Sequence, residues 1–425
     1  MKSIKYIVIA VLFMSCQFVD SEKYIVVKDG EFIKNGQAYK YIGTNFWYGM
    51  NLGAYDQERL IRELDRLNEL GVKNLRLMAA SEGNADAEWR LQPCLQTSPG
   101  VFNEELLKGL DFLLDEMSKR DMVGVMCLNN FWPWSGGMSQ YVSWANNNEA
   151  IPFPPPAKDG DWRTYQEYTA QFYANKKALE YFNKLLAKVV ERKNSVNGLA
   201  YKEDPTIMAW QLANEPEGMN KEEAYRNWLH ETAKFIKSMD ENHLVSIGSE
   251  GNTPFPQTGN DFEKDHDSEY IDYCTFHLWI QNWGFYDPLQ PEESYKKAIV
   301  MADKYIKEHF DIANKLNKPV VLEEFGISRD LNSYETKAKT DYRDVYYKYI
   351  FNKVLTLSKK GNMAGANFWA WGGEGRPRFS KAVWETGDDL IGDPPHEYQG
   401  WYSVYDTDES TMAIIKEYTG LISEE

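Results

Sequence analysis

The stretch Ile207-Met208-Ala209-Trp210-Gln211-Leu212-Ala213-Asn214-Glu215-Pro216 decides how the rest of the chain reads. A short apolar run closed by proline reads as a buried strand entering a loop. The same construction returns at Lys318-Pro319-Val320-Val321-Leu322-Glu323-Glu324-Phe325-Gly326. Working outward, strands are expected at Tyr41–Phe46, Val72–Met78, Met122–Leu128, Ile207–Ala213, Leu244–Gly248, Asp272–Leu278, Pro319–Glu323 and Gly365–Phe368. Helical patterns fill most of the intervals: 56–70, closed by Gly71, then 104–119, 171–193, 221–239, 291–316 and 341–359. A small hairpin with Asp29-Gly30 and Asn35-Gly36 turns precedes the first strand. A Trp-, Pro- and Gly-rich insertion covers 129–161, a loop-like tail covers 376–405, and a last helix covers 409–418. Eight strands alternating with helices predict an α/β fold, a single (β/α)8 TIM barrel with long loops on the catalytic face, spanning 24–425. A doubly wound open sheet is the other arrangement, but no Gly-rich phosphate loop follows the first strand.

Composition narrows the partners. A net charge of -17 leaves no basic surface for nucleic acid or anionic lipid. The 14 Trp and 27 Tyr suit either a large core or stacking against the apolar faces of sugars, and neutral polysaccharide is compatible with this charge.

In a barrel of this kind, chemistry sits at the C-terminal strand ends. The polar residues there are Asn45, Arg76, Asn129, Asn130, Asn214, Glu215, His277 and Glu324, with Trp369 after the last strand. Carboxylates are costly on buried strands unless paired or functional. Two of them at two strand ends are what glycosidic bond hydrolysis needs, one as proton donor and one as nucleophile or base.

The ordered set Arg76, Asn214-Glu215-Pro216, His277, Glu324-Phe325-Gly326 and Trp369 resembles glycoside hydrolase family 5 over nearly the whole chain. Within it, Gly43-Thr44-Asn45-Phe46-Trp47, Leu128-Asn129-Asn130-Phe131-Trp132, Gly136-Gly137 and Tyr141-Val142-Ser143-Trp144-Ala145 resemble the endo-β-1,4-mannanases. The resemblance implies a retaining endo-β-1,4-mannanase acting as a monomer on mannan, glucomannan or galactomannan, with no cofactor and no metal. Two neighbouring activities, a β-1,4-glucanase and an exo-acting mannobiohydrolase, share these motifs. A non-catalytic glycan-binding surface lipoprotein is the reading from another class, and retention of both acids argues against it.

It also implies roles. Glu215 is expected as the acid/base, with a raised pKa, and Glu324 as the nucleophile, held ionised by Arg76. Asn214 is expected on the sugar 2-OH, His277 near the acid/base, and Trp369 under the sugar. Asn45, Asn130 and Trp132 are expected to support or contact substrate. Adjacent strand residues face opposite ways, so Glu323 is expected on the other face of its strand from Glu324. The family's Tyr two places after the His is here Trp279, leaving open which donor supports the nucleophile. Trp134, Trp144 and Trp283 are further candidate platforms, Trp210 and Trp228 are expected in the core, and Glu374 and Arg376 are possible cleft residues.

Lys2 and Lys5, the apolar run 6–14 and Ser15-Cys16 read as a lipoprotein signal peptide over 1–15, with Cys16 as lipid attachment site and 16–23 as a short tether. The protein is therefore expected to be exported and lipid-anchored to a bacterial (outer) membrane, at the cell surface or on the periplasmic face. Three cysteines remain, Cys94, Cys127 and Cys274, so at most one disulfide forms, and the last two read as small buried hydrophobes. The acidic cluster Asp261, Glu263, Asp265, His266 and Asp267 reads as a solvated loop rather than a cation site.

Overall fold

The computed structural model describes residues 23–84 and 90–424, so the signal peptide and Cys16 lie outside the described residues. Eight parallel strands form one sheet: β1 Tyr41–Asn45, β2 Asn74–Met78, β3 Val123–Cys127, β4 Ile207–Gln211, β5 Leu244–Ser246, β6 Cys274–Leu278, β7 Val320–Phe325 and β8 Met363–Phe368. Their order, β5-β4-β3-β2-β1-β8-β7-β6, leaves only β5 and β6 without a ladder. That seam is closed by the Asp272 N–H to Val245 O at 2.8 Å and the His277 N–H to Glu250 O at 3.1 Å. Every residue of all eight strands is buried, which is why the strands read as continuous rather than alternating apolar runs. This is the expected (β/α)8 barrel.

Two cores result. The larger packs helices against the outside of the strands. The smaller lies at the N-terminal mouth, where Phe32 of a three-stranded antiparallel sheet (Val26–Lys28, Glu31–Lys34, Gln37–Ala38) meets Tyr273 edge-on at 5.1 Å. The predicted hairpin thus plugs the barrel floor and leaves the opposite face for loops.

The insertion at 129–161 is not all loop. It holds a 3-10 turn, Pro133–Ser135, and a helix, Gly137–Ala145, whose Met138, Tyr141, Val142 and Trp144 are buried. Buried Glu82 organises it, accepting from the Gly137 N–H at 2.9 Å and from the Tyr141 hydroxyl at 3.0 Å. Helix Trp162–Thr169 follows, and helix Gly49–Tyr55 precedes the predicted Gln57–Glu69; neither shows a long enough apolar period to read from sequence. The acidic cluster is a short helix, Phe262–His266, rather than a solvated loop. Its acids pair with Arg226, Lys264 and Lys315, and His266 is buried. Cys94, Cys127 and Cys274 are all buried and free. Among the described residues, no helix is long and apolar enough to cross a membrane.

Helices Gly49–Tyr55 and Glu104–Ser118 cross where Gly53 meets Gly109: a Cβ on Gly53 would lie 2.1 Å from the Gly109 carbonyl oxygen. Gly53→Val should therefore cost about 3 kcal/mol, the upper end of the overpacking range, read as a lower urea midpoint with unchanged slope. An unshifted midpoint would mean the crossing is looser than described.

Candidate active site

Arg76, on β2, is the centre of the catalytic face and is almost completely buried. Its Nε donates to Gln211 Oε1 on β4 at 2.7 Å. Its Nη1 reaches Asn45 Oδ1 on β1 at 3.1 Å and the Glu324 carboxylate on β7, while Nη2 donates to Asn214 Oδ1 at 2.8 Å. Burial disfavours the charge, but Glu324 and Glu323 outweigh it and keep the guanidinium ionised.

Asn214 completes its amide with Asn130, donating to Asn130 Oδ1 at 3.2 Å. The same oxygen accepts from the Trp132 backbone N–H at 3.0 Å. Asn45 donates to the Glu323 carbonyl at 2.8 Å and Asn130 to Ser135 Oγ at 3.0 Å. Asn45 and Asn130 are fully buried supports, not surface contacts.

Glu215 follows Asn214 with φ +47°, in the left-handed region that costs a non-glycine residue about 1–2 kcal/mol. Its N–H bonds Gly248 O at 2.8 Å, which fixes that turn. Three donors converge on its carboxylate: His277 Nδ1 at 2.6 Å, the Trp279 indole at 3.1 Å, and the Trp132 indole. His277 Nδ1 also lies 3.4 Å from Glu324 Oε2. One ligand-type atom from each of Glu215, His277 and Glu324 fits within 4.8 Å. His277 Nδ1 and Glu215 Oε1 already touch as a hydrogen bond, closer than two ligands of one tetrahedral ion would sit.

One open question is answered and two expectations need correction. Trp279 donates to Glu215, not to Glu324; the nucleophile candidate is supported by Arg76 and His277 instead. Glu323 is not on the outer face of its strand. The β6–β7 register slips between Phe276 and His277, so that His277 pairs with Glu324 and Glu323 is left over as a bulge. A bulge turns two consecutive side chains the same way, and Glu323 accepts from Gln211 Nε2 at 2.9 and 2.7 Å, with Arg76 Nε 3.7 Å away. The second correction is the order of ionisation. Burial raises the Glu215 pKa, but the hydrogen bonds from His277, Trp132 and Trp279 outweigh it and hold the carboxyl below its usual range. Burial pushes Glu324 up to about 7 despite His277 and Arg76, with the Glu215 charge adding to the rise. Burial also works against a charge on His277, yet Glu324 and Glu215 raise it to about 9.

Other expected residues scatter. Trp369 is buried at the site, edge-on to Trp279 with centroids 6.0 Å apart. Trp132 is half-buried and meets Trp162 at 5.7 Å. Trp134 is buried but lines a small cavity with Trp47, Arg76, Asn214 and Trp369; Trp144, Trp210 and Trp228 are buried packing, and Trp283 is half-buried against Tyr305. Glu374 pairs with Arg62 and Arg66, and Arg376 with Asp406, all away from the carboxylates.

The sequence reading passed over Gln211, although a polar residue inside an apolar run was a visible signal. It also passed over three further acids, Glu217 and Glu250, which are buried, and Glu397, which is half-buried. Burial pushes Glu217 up to about 8, and Glu250 and Glu397 well above the carboxylate range; the Glu215 charge adds to all three. Glu217 lies two residues after Glu215, but nothing local in the chain marks Glu250 and Glu397 as neighbours.

Gln211→Leu removes the bridge between Arg76 and Glu323 and leaves both buried charges short of a partner. A stability loss of about 3 kcal/mol is expected, measured by urea unfolding; a loss below 1 kcal/mol would show that Ser246 and water replace the amide.

The comparisons with known proteins agree with this geometry. The family model for GH family 5 beta-mannosidase-like proteins matches residues 22–424. Mannan endo-1,4-beta-mannosidase 1 of Solanum lycopersicum is 32% identical over 378 residues, 84% of this chain and 86% of its own. The crystal structure of a glycoside hydrolase family 5 mannosidase from Rhizomucor miehei superposes with a TM-score of 0.88 at 39% identity, covering 95% of this chain and 98% of that one. The endo-beta-1,4-mannanase of Thermotoga petrophila superposes with a TM-score of 0.69 at 26% identity, over 92% of this chain and 78% of that one.

Proposed function

This chain belongs to glycoside hydrolase family 5, and from that premise we propose that it is a retaining endo-β-1,4-mannanase cleaving mannan-type polysaccharides through a covalent glycosyl-enzyme. The observation that carries the mechanism is the seating of Glu215 and Glu324 at the ends of β4 and β7, with His277 between them and one atom of each within 4.8 Å. Retaining enzymes hold their two carboxyl groups about 5–5.5 Å apart, so that one attacks the anomeric carbon directly.

Glu324 forms the bond to the anomeric carbon while Glu215 gives a proton to the departing oxygen. Glu215 then takes a proton from water, which releases the sugar with its configuration kept. Before substrate binds, that first proton is assigned to His277 Nδ1. It lies 2.6 Å from Glu215, so Glu215 becomes the acid by transfer along one hydrogen bond. Asn214 keeps an amide hydrogen for the 2-OH, and Trp369 offers its ring beneath the sugar.

The substrate class rests on the mannan endo-1,4-beta-mannosidases that this chain resembles. A second reading, action from a chain end, is favoured by enclosure. Glu215, Glu324 and Trp369 are 7%, 2% and 5% exposed. The segment 376–402 abuts both sides of the site, through His396 against Trp162 at 6.0 Å and Tyr402 against Trp279 at 5.5 Å. We further infer an exported monomer anchored by a lipid on Cys16, supported by the basic and apolar residues before it. Labelled palmitate should enter the wild type and not Cys16→Ser.

Glu215→Ala and Glu324→Ala should each lose at least about a thousandfold in kcat on β-1,4-mannan. Added azide should rescue Glu215→Ala to the β-mannosyl azide and Glu324→Ala to the α-anomer. Wild-type turnover in either variant would refute the assignment. An early fall in mannan viscosity marks endo action, whereas release of one short product from the outset marks exo action.

The pH profile has a defined sign. Glu324 ionises as pH rises through about 7, and His277 keeps its proton until about 9, above its ordinary value. The kcat/KM profile should therefore rise through about 7 and fall through about 9. His277→Gln should lose the alkaline limb; an unchanged limb would place the proton elsewhere.

A further inference from the structure

The aromatic residues do not stop at the reacting centre. Trp369 meets Trp279, Trp279 meets buried Tyr402 at 5.5 Å, and Tyr402 stacks on Trp401 at 4.6 Å with planes 24° apart. Trp401 is half-buried, so part of its ring is open. Further along the same loops Tyr334 lies edge-on to Tyr398 at 5.9 Å, and Tyr398 is 42% exposed. Lys381 Nζ sits 4.8 Å from the Tyr398 ring and 5.6 Å from the Tyr334 ring.

This wall is set before any ligand arrives. Asn332 Oδ1 accepts from the Trp401 indole at 3.1 Å and from Gln281 Nε2 at 3.2 Å, tying the loops after β6, β7 and β8 together. The Tyr402 hydroxyl donates to Asn282. Gly400, with φ +94°, lets the β8 loop approach so closely that a Cβ there would lie 2.8 Å from Tyr334 O. The hydrolytic mechanism uses Trp369 and Trp279 and none of the rings beyond Tyr402.

We propose that Trp401, with Tyr334 and Tyr398 beyond it, forms an accessory subsite for sugar units of a β-linked mannan-type chain outside those at the cleaved bond. The uncovered part of the half-buried Trp401 ring receives the C–H face of a pyranose ring, while Lys381, lying over both tyrosine rings, and the Tyr hydroxyls meet the hydroxyl groups at the sugar edge. A rigid wall loses little entropy on binding, so its contacts convert to affinity. The identity of the sugar rests on the mannanase reading; the location of the subsite does not.

The test compares chain lengths. In Trp401→Ala and in Tyr398→Ala, KM for mannohexaose should rise about tenfold, the worth of one good aromatic contact, with kcat kept. Neither constant should move for a short aryl β-mannoside, and Trp401→Phe should recover most of the loss. Equal losses on both substrates, or none on either, would overturn the proposal. If the wild type hydrolysed no β-mannoside, the functional reading would fail separately. Calorimetric titration of mannohexaose into wild type and Trp401→Ala would then decide, with about tenfold weaker binding by the variant in support and equal affinity against.

Discussion

One buried guanidinium constrains the whole catalytic face. Arg76 sits inside a barrel whose strands are buried throughout, where an unpaired charge would cost several kcal/mol. Its donors are met by Asn45, Gln211, Asn214 and Glu324, drawn from or just beyond β1, β4 and β7. Each partner is then positioned by the same requirement: Asn214 by Asn130, Gln211 by Glu323 and Ser246, Asn45 by the Glu323 backbone. The residues that would meet a sugar inherit their orientation from the need to satisfy this one cation.

The charge balance around it explains the titration behaviour. Glu215, Glu323 and Glu324 surround Arg76 and His277, and Glu217, Glu250 and Glu397 lie close enough for their charges to be felt. Ionising every acid in so little water would concentrate negative charge in a low-dielectric space. Protons therefore stay on the least supported carboxyls and on His277. Glu215 escapes because three N–H donors converge on it. On the proposed mechanism the proton for catalysis is thus held one hydrogen bond away from the oxygen that would deliver it, which departs from the simple picture of a neutral acid beside an ionised nucleophile.

Much of this was legible from the chain. Apolar runs ending in Asn214-Glu215-Pro216 and Glu323-Glu324-Phe325-Gly326 marked β4 and β7, and their ends marked the face that carries chemistry. The long helix at Pro291–Leu316 was readable to its last residue because its period and its breakers are local. The insertion at 129–161 was not, because its helix is stabilised by Glu82, more than 50 residues earlier in the chain. Segment 376–402 has no period to read, and its place beside the site follows from ring contacts with Trp162 and Trp279.

What the sequence determined by itself, then, is the barrel, the two strand ends and the acids they carry, since these depend on patterns a few residues long. Only the tertiary structure decided which groups face those acids. A one-residue bulge on β7 turned Glu323 inward, and closure of the barrel between β5 and β6 gave Trp279 to Glu215 rather than to Glu324. The order of ionisation was decided there too, because it depends on burial and on distances between side chains that meet only when the barrel closes.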